Sequence, residues 1–385
     1  MSEFTSSSTK ENISYAQSAL YDRQIRLWGI EAQNRMQNSS VLIVGFTGLH
    51  GEVIKNIVLA GVGVTIYDNK NVTLEDLSSN FFFTTDDVGK SRLDAGLERV
   101  KEYNEFVKVE GENNSNTTDI TEAYIKEKSF SVILLDDNVK ESEAVRINNI
   151  ARKHSIPCFW SAAFGFQGLF ICDFGIEFQY KNDPPHNKDV HSTTFPSFSS
   201  ILTTKWKDMQ KKHFEEIEAA YVNARIISSF YGTKGKKPDL NDLDEIKILL
   251  KKLLKENNID NWNEDNINNN ALKIASTASS GTFAVISAVI GGFLAQEILK
   301  AIQRSGIPMQ NIFVYDGNDE KRGVVAKCFP AAYDTVTQPI VKKKQNQNES
   351  AEPAMKRQKT DSGAAVDILV GDEEDKKADP IVLLD

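Results

Sequence analysis

Val41-Leu-Ile-Val-Gly45-Phe-Thr47-Gly48-Leu-His50-Gly51 opens the stretch that decides the fold, and Val64-Thr-Ile-Tyr-Asp68 closes it. The first five residues are a short apolar run ending in glycine, the pattern of a buried parallel strand. From Glu52 to Ala60, apolar residues recur at Val53, Ile54, Ile57 and Val58, which is helical spacing. Val64 to Asp68 is a second apolar run that ends in an acid. Strand, glycine turn, helix and strand make a right-handed βαβ unit.

The same alternation continues downstream. The spacing predicts a helix near Ser91 to Tyr103, a strand at Ser131 to Leu135, a helix at Glu141 to Lys153 and a strand near Pro157 to Trp160. That is a doubly wound α/β pattern. It changes after Asp173. Tyr180 to Ser200, rich in Pro, Asn and Ser, reads as a long loop. Lys205 to Phe230 and Leu240 to Asn257 read as charged amphipathic helices. Asn257 to Asn270 reads as an Asn/Asp-rich loop. Ala271 to Ile302, with Gly281, Gly291 and Gly292, is the most apolar stretch and reads as closely packed buried helices. A strand is expected at Asn311 to Tyr315.

The expected organisation is therefore a disordered N-terminus (1–14), a Rossmann-like domain in two parts (15–176 and 271–335), a helical insertion (177–270) and a disordered tail (336–385). The formal charge of -9 argues against a nucleic-acid binder. No apolar run looks long enough to span a bilayer, and the start lacks the pattern of a signal peptide, so no membrane role is expected. Cys158, Cys172 and Cys328 are far apart, which suggests neither a disulfide framework nor a zinc site. No metal site is expected. A reducing, nuclear or cytosolic compartment fits.

A glycine turn after the first strand and an acid ending the second form a nucleotide fingerprint. Glycines let the backbone approach phosphates at a helix N-terminus, and Asp68 stands where a ribose hydroxyl would be held. Here Thr47 and His50 fall where the second and third glycines belong, and a Cβ at either place obstructs that approach. By its chemistry alone, the turn reads as a connection rather than a phosphate site.

The segment Tyr21-Asp-Arg23-Gln-Ile-Arg26-Leu-Trp28-Gly29 carries a more specific signal. It resembles the opening of the adenylation domains in eukaryotic ubiquitin-like modifier-activating enzymes, the ThiF/MoeB superfamily. The resemblance continues through Lys55 to Gly61, Asn80-Phe81-Phe82-Phe83, Val88-Gly89-Lys90-Ser91-Arg92 and Gly291-Gly292 to Lys300, covering most of Tyr21 to about Val325. It implies a fold that binds ATP and magnesium and adenylates the C-terminal glycine of a β-grasp protein, which a cysteine then takes as a thioester.

The departures imply a degenerate copy. Ser79 stands where the phosphate-binding arginine is expected and Arg92 where a lysine is expected. The magnesium-region acid survives as Asp136 or Asp137 without its basic neighbours. No cysteine lies between Cys172 and Cys328, so the insertion has no thiol nucleophile. Gly45, Gly48 and Asp68 are then vestiges of a cofactor site. With so compact an insertion, the chain is most similar to the non-catalytic subunits of heterodimeric SUMO-activating enzymes. The longer subunits serving the cullin modifier, and a self-sufficient ThiF-like adenylyltransferase, are the alternatives. The resemblance implies a catalytic large subunit that binds ATP and Mg, SUMO as the protein substrate, and Arg23 reaching in trans into the partner's ATP site. Arg26 is the second candidate; without the resemblance, Arg23 reads as a surface arginine pairing with Asp22 or Glu31. In the tail, Val366 to Asp375 resembles a SUMO-interacting segment, and Lys342 to Lys344 with Lys356 to Lys359 resembles a bipartite nuclear import signal.

Overall fold

A computed structural model describes residues 14–114, 116–182, 189–208, 211–260, 262–317 and 324–326. The N-terminal stretch, Cys328 and the tail with both of its motifs lie outside the described residues. Three short helices come first, α1 (Tyr15–Leu20), α2 (Asp22–Trp28) and α3 (Ile30–Gln37). The alternating core follows as β1 (Ser40–Val44), α4 (Gly48–Leu59), β2 (Gly63–Tyr67), α5 (Arg92–Lys101), β3 (Val109–Glu112), α6 (Glu122–Lys128), β4 (Val132–Leu135), α7 (Glu141–Lys153), β5 (Cys158–Phe164) and β6 (Gln167–Asp173). A hairpin, β7 (Phe178–Lys181) and β8 (Val190–Thr193), leads to α8 (Phe198–Thr203), α9 (Lys211–Lys234), α10 (Leu243–Glu256) and α11 (Glu264–Ser279). The described part ends with α12 (Ala284–Gln303), β9 (Ile312–Asp316) and β10 (Val324–Ala326).

The main sheet runs in the order β10-β9-β6-β5-β4-β1-β2-β3. Its half from β3 to β5 is parallel, and β6, β9 and β10 extend it antiparallel. Strand alternation divides the core. Val41 and Ile43 face a layer that contains α4, α5 and α12, whereas Leu42 and Val44 face α6, α7 and the helices α9 to α11. The insertion therefore shares the core of the sheet instead of forming a lobe of its own.

Three expectations need correction. The segment from Tyr180 to Ser200 contains β8 and the start of α8, and Tyr180 itself lies on β7, so it is not one long loop. The Asn/Asp-rich run becomes helix from Glu264, capped by the Asn263 side chain accepting from Asn266 N at 2.8 Å. Burial of Ile267, Ala271 and Ile274 overrides the poor helix propensity of the asparagines, and the boundary drawn at 270 falls within this helix. Finally, α12 is long and apolar enough to cross a membrane by length and composition, with 61% of its apolar window buried in the fold. It is a core helix packed on α4, with Gly291 against Glu52.

Candidate functional site

The chain leaves β1 and β4 toward opposite sides of the sheet, and a crevice opens at the C-terminal ends of such strands. A cleft of about 410 Å³ lies there, lined by Thr47 and Gly48 from the first turn, Ser79, Arg92, and Asp136 and Asp137 beyond β4. Fold and place are those of a nucleotide site. Several of the groups around it are held by hydrogen bonds and ion pairs within the chain.

Asp68 is 3% exposed and accepts from Phe46 N at 2.7 Å and Lys70 N at 2.6 Å. Arg92 Nη1 donates to it at 3.3 Å. Its carboxylate closes the turn through these contacts. Arg92 also donates to Asp76 through Nη2 at 2.6 Å and Nε at 3.3 Å. Burial would lower the pKa of this guanidinium, but the Asp76 and Asp68 carboxylates outweigh it and hold it raised. Thr47 caps α4 by accepting from His50 N, which takes up an N–H that a phosphate would otherwise claim. Ser79 lies against Gly48, and Asn80 Nδ2 donates to Phe46 O at 3.0 Å, stapling the turn from outside. Gly45 is a glycine the turn requires: its φ is +93°, and a Cβ would collide with the Asp136 carboxylate. Five acids (Glu75, Asp76, Asp136, Asp137, Asp239) line the cleft against three bases (Lys70, Arg92, Lys237). The cleft therefore carries more acid than base.

His50 explains the irregular turn. Its Nδ1 lies 2.7 Å from Gly45 O and its Nε2 3.0 Å from Ser161 Oγ. A carbonyl only accepts, so Nδ1 carries the proton and Nε2 accepts from the serine hydroxyl. Burial pushes the His50 pKa down. The unfolded chain therefore takes up a proton that the folded chain refuses, and this contribution is present above the ordinary histidine range and lost as the pH falls below it. Urea midpoints should drop on acidification from pH 7.5 toward 5.5, with a contribution of at most about 1.4 kcal/mol per pH unit. His50→Gln should flatten that part of the slope; an unchanged slope would remove His50 as its source.

The N-terminal helices stand apart from the cleft. Tyr21, 1% exposed, accepts from Asn104 Nδ2 at 2.8 Å and anchors the start of α2. Arg23 is exposed on α2 and has no ion-pair partner among the described residues. It is Arg26 that pairs with Asp22, at 3.0 Å. Beside α2, a shallow groove is lined by Gln24, Trp28, Asn56, Leu59, Gly292 and Gln296. A model of the ThiF family matches residues 21–332.

The chain belongs to the ThiF family.

This ThiF-family chain is 32% identical over 339 residues to SUMO-activating enzyme subunit 1 of Bos taurus, covering 79% of this chain and 93% of that protein. It is 31% identical over 328 residues to SUMO-activating enzyme subunit 1B-1 of Arabidopsis thaliana, covering 82% and 97%. A crystal structure of E. coli MccB with MccA-N7isoASN superposes with a TM-score of 0.49 at 13% identity, covering 86% of this chain and 76% of that one. Of the residues singled out in the sequence, Gly48, Ser79, Arg92, Asp136 and Asp137 meet at the cleft of the ThiF-family fold. Gly45 abuts Asp136, and Asp68 is turned into the wall. Arg23 is not brought into the cleft. Cys158 and Cys172 are buried, and burial pushes both thiols well up, as suits core residues. Lys237 and the His50–Ser161 bond were missed. Nothing in the local sequence ties residue 237 to residue 137, and the only hint for His50 was a side chain where glycine belongs.

Proposed function

We propose that this chain is the non-catalytic subunit of a heterodimeric SUMO-activating enzyme. It supports ATP-dependent adenylation of the SUMO C-terminal glycine, and thioester transfer, on a catalytic partner that binds ATP and Mg. The carrying observation is the cleft whose Asp68, Arg92 and helix N-terminus are occupied by the chain's own groups. The names of the similar proteins from Bos taurus and Arabidopsis thaliana supply the modifier.

The outer face of α12 supports the partner. Val285 is 68% exposed and Phe293 41% exposed, and Leu27 and Leu59 on α2 and α4 are exposed as well. Gly292, also on α12, has no atom of the described residues beyond its own helical turn within 4 Å of where a Cβ would be. Glycine within a helix costs about 1 kcal/mol against alanine. Nothing among its own neighbours requires it, so the close approach it permits is assigned to another chain. Arg23, exposed on α2, enters the partner's phosphate site in this reading. A nuclear location belongs to the same reading and rests on the basic clusters of the tail.

The purified chain alone is expected to give no ATP–pyrophosphate exchange with SUMO present, and the chain with its large subunit is expected to give it. Exchange by the isolated chain would favour the self-sufficient adenylyltransferase. Preference of the pair for another modifier would reject SUMO.

A further inference from the structure

The connection between α9 and α10 is pinned at both ends. Gly235, at φ +71°, stops α9 with its N–H donating to Tyr231 O at 2.8 Å. Asp239 and Asp242 close a reciprocal cap at the far end, Asp239 N donating to Asp242 Oδ2 at 3.0 Å and Asn241 N to Asp239 Oδ1 at 2.7 Å. The two lysines between them part company. Lys236 pairs at the surface with Asp242 at 2.7 Å and Asp239 at 3.2 Å. Lys237 enters the cleft, its Nζ 2.8 Å from Asp137 Oδ2. Pro238 is buried behind it.

Asp137 needs a cation there. Asp136 stands next to it, buried beyond the end of β4, and accepts from Asn138 Nδ2 at 2.6 Å and Asn138 N at 3.1 Å. Two adjacent carboxylates in a cleft that already carries excess acid are both ionised only beside positive charge. Of the other cleft bases, Arg92 is held by Asp68 and Asp76, and Lys70 lies close enough to Asp136 to favour its charged form, while the ion pair at Asp137 is made by Lys237. The sequence resemblance implies that one of the two, Asp136 or Asp137, is the acid of the magnesium region.

We propose that Lys237 is the resident cation of the cleft: its ammonium occupies the place at Asp137 that a divalent ion would take, and fastens the α9–α10 connection to the cleft wall. This inference rests on the cleft alone and stands or falls separately from the heterodimer reading.

The test is Mn²⁺ binding to the full chain, followed by paramagnetic relaxation of water. Wild type and Lys237→Arg, which keep the charge, are expected to show only weak, unsaturable binding. Lys237→Met is expected to gain saturable binding tighter by roughly tenfold or more, since an opposing charge is removed at contact distance. Lys237→Met/Asp137→Asn is expected to lose it again. Equal binding by Lys237→Met and wild type overturns the proposal, as does a site that survives in the double variant. If Lys237→Met fails to fold without metal, MnCl₂ is expected to restore a cooperative melt; failure to restore it counts against the proposal equally.

Discussion

Gly292→Leu is expected to leave the chain folded and to disable its assembly with a catalytic subunit. The position lies within α12, an added Cβ there meets no atom of the described residues beyond its own helical turn within 4 Å, the rest of the side chain extends into the shallow groove beside α2, and the helix gains propensity. If a partner backbone packs there, the added atoms must be accommodated at an interface already filled. Overpacking of that kind costs about 1–3 kcal/mol, which weakens association roughly 5- to 150-fold. Gly292→Ala should fall between the two. Thermal melts of the single chain and calorimetric titration of the pair separate the effects. Wild-type affinity for the leucine variant would show that this face is not the interface, and a lowered melting temperature would show that its own fold uses the glycine.

Arg23→Ala should slow adenylation by the assembled pair while leaving assembly largely intact. The side chain is exposed and without an ion-pair partner among the described residues, so its removal takes little from the fold. A guanidinium that reaches phosphates across a subunit boundary acts where charge shifts during reaction, and its loss appears in rate. An effect of roughly 10- to 100-fold is expected, about 1.4 to 2.7 kcal/mol of barrier. Arg23→Lys should recover part of it, because a point charge does not reproduce the planar fork. Arg26→Ala is the internal control, since Arg26 is already paired with Asp22 at the surface. Pyrophosphate exchange at saturating ATP and SUMO, beside gel filtration, is the measurement. A wild-type rate from an assembled mutant would return Arg23 to the role of a surface arginine.

The elements most visible in the sequence were those whose periodicity reflects direct burial. The runs at Val41 and Val64 became parallel neighbours, and the helix read at Glu141 to Lys153 has those bounds in the structure. The asparagine-rich start of α11 was misread because its helix is set by contacts with distant elements and not by its own propensities. Likewise α12 is apolar on both sides: one face meets α4 and the sheet, the other is exposed, and composition cannot separate those two demands.

The family, the doubly wound order, Thr47 and His50 in the turn after β1, and Ser79 where the resemblance expects an arginine were legible in the sequence alone, because each is a local pattern read along the chain. How the cleft is occupied was decided only in three dimensions. Arg92 closes on Asp68 across 24 positions, His50 on Ser161 across 111, and Lys237 on Asp137 across 100, the difference of their numbers. Such pairings depend on which strand ends the sheet brings side by side, and on buried charge being compensated wherever the fold places it.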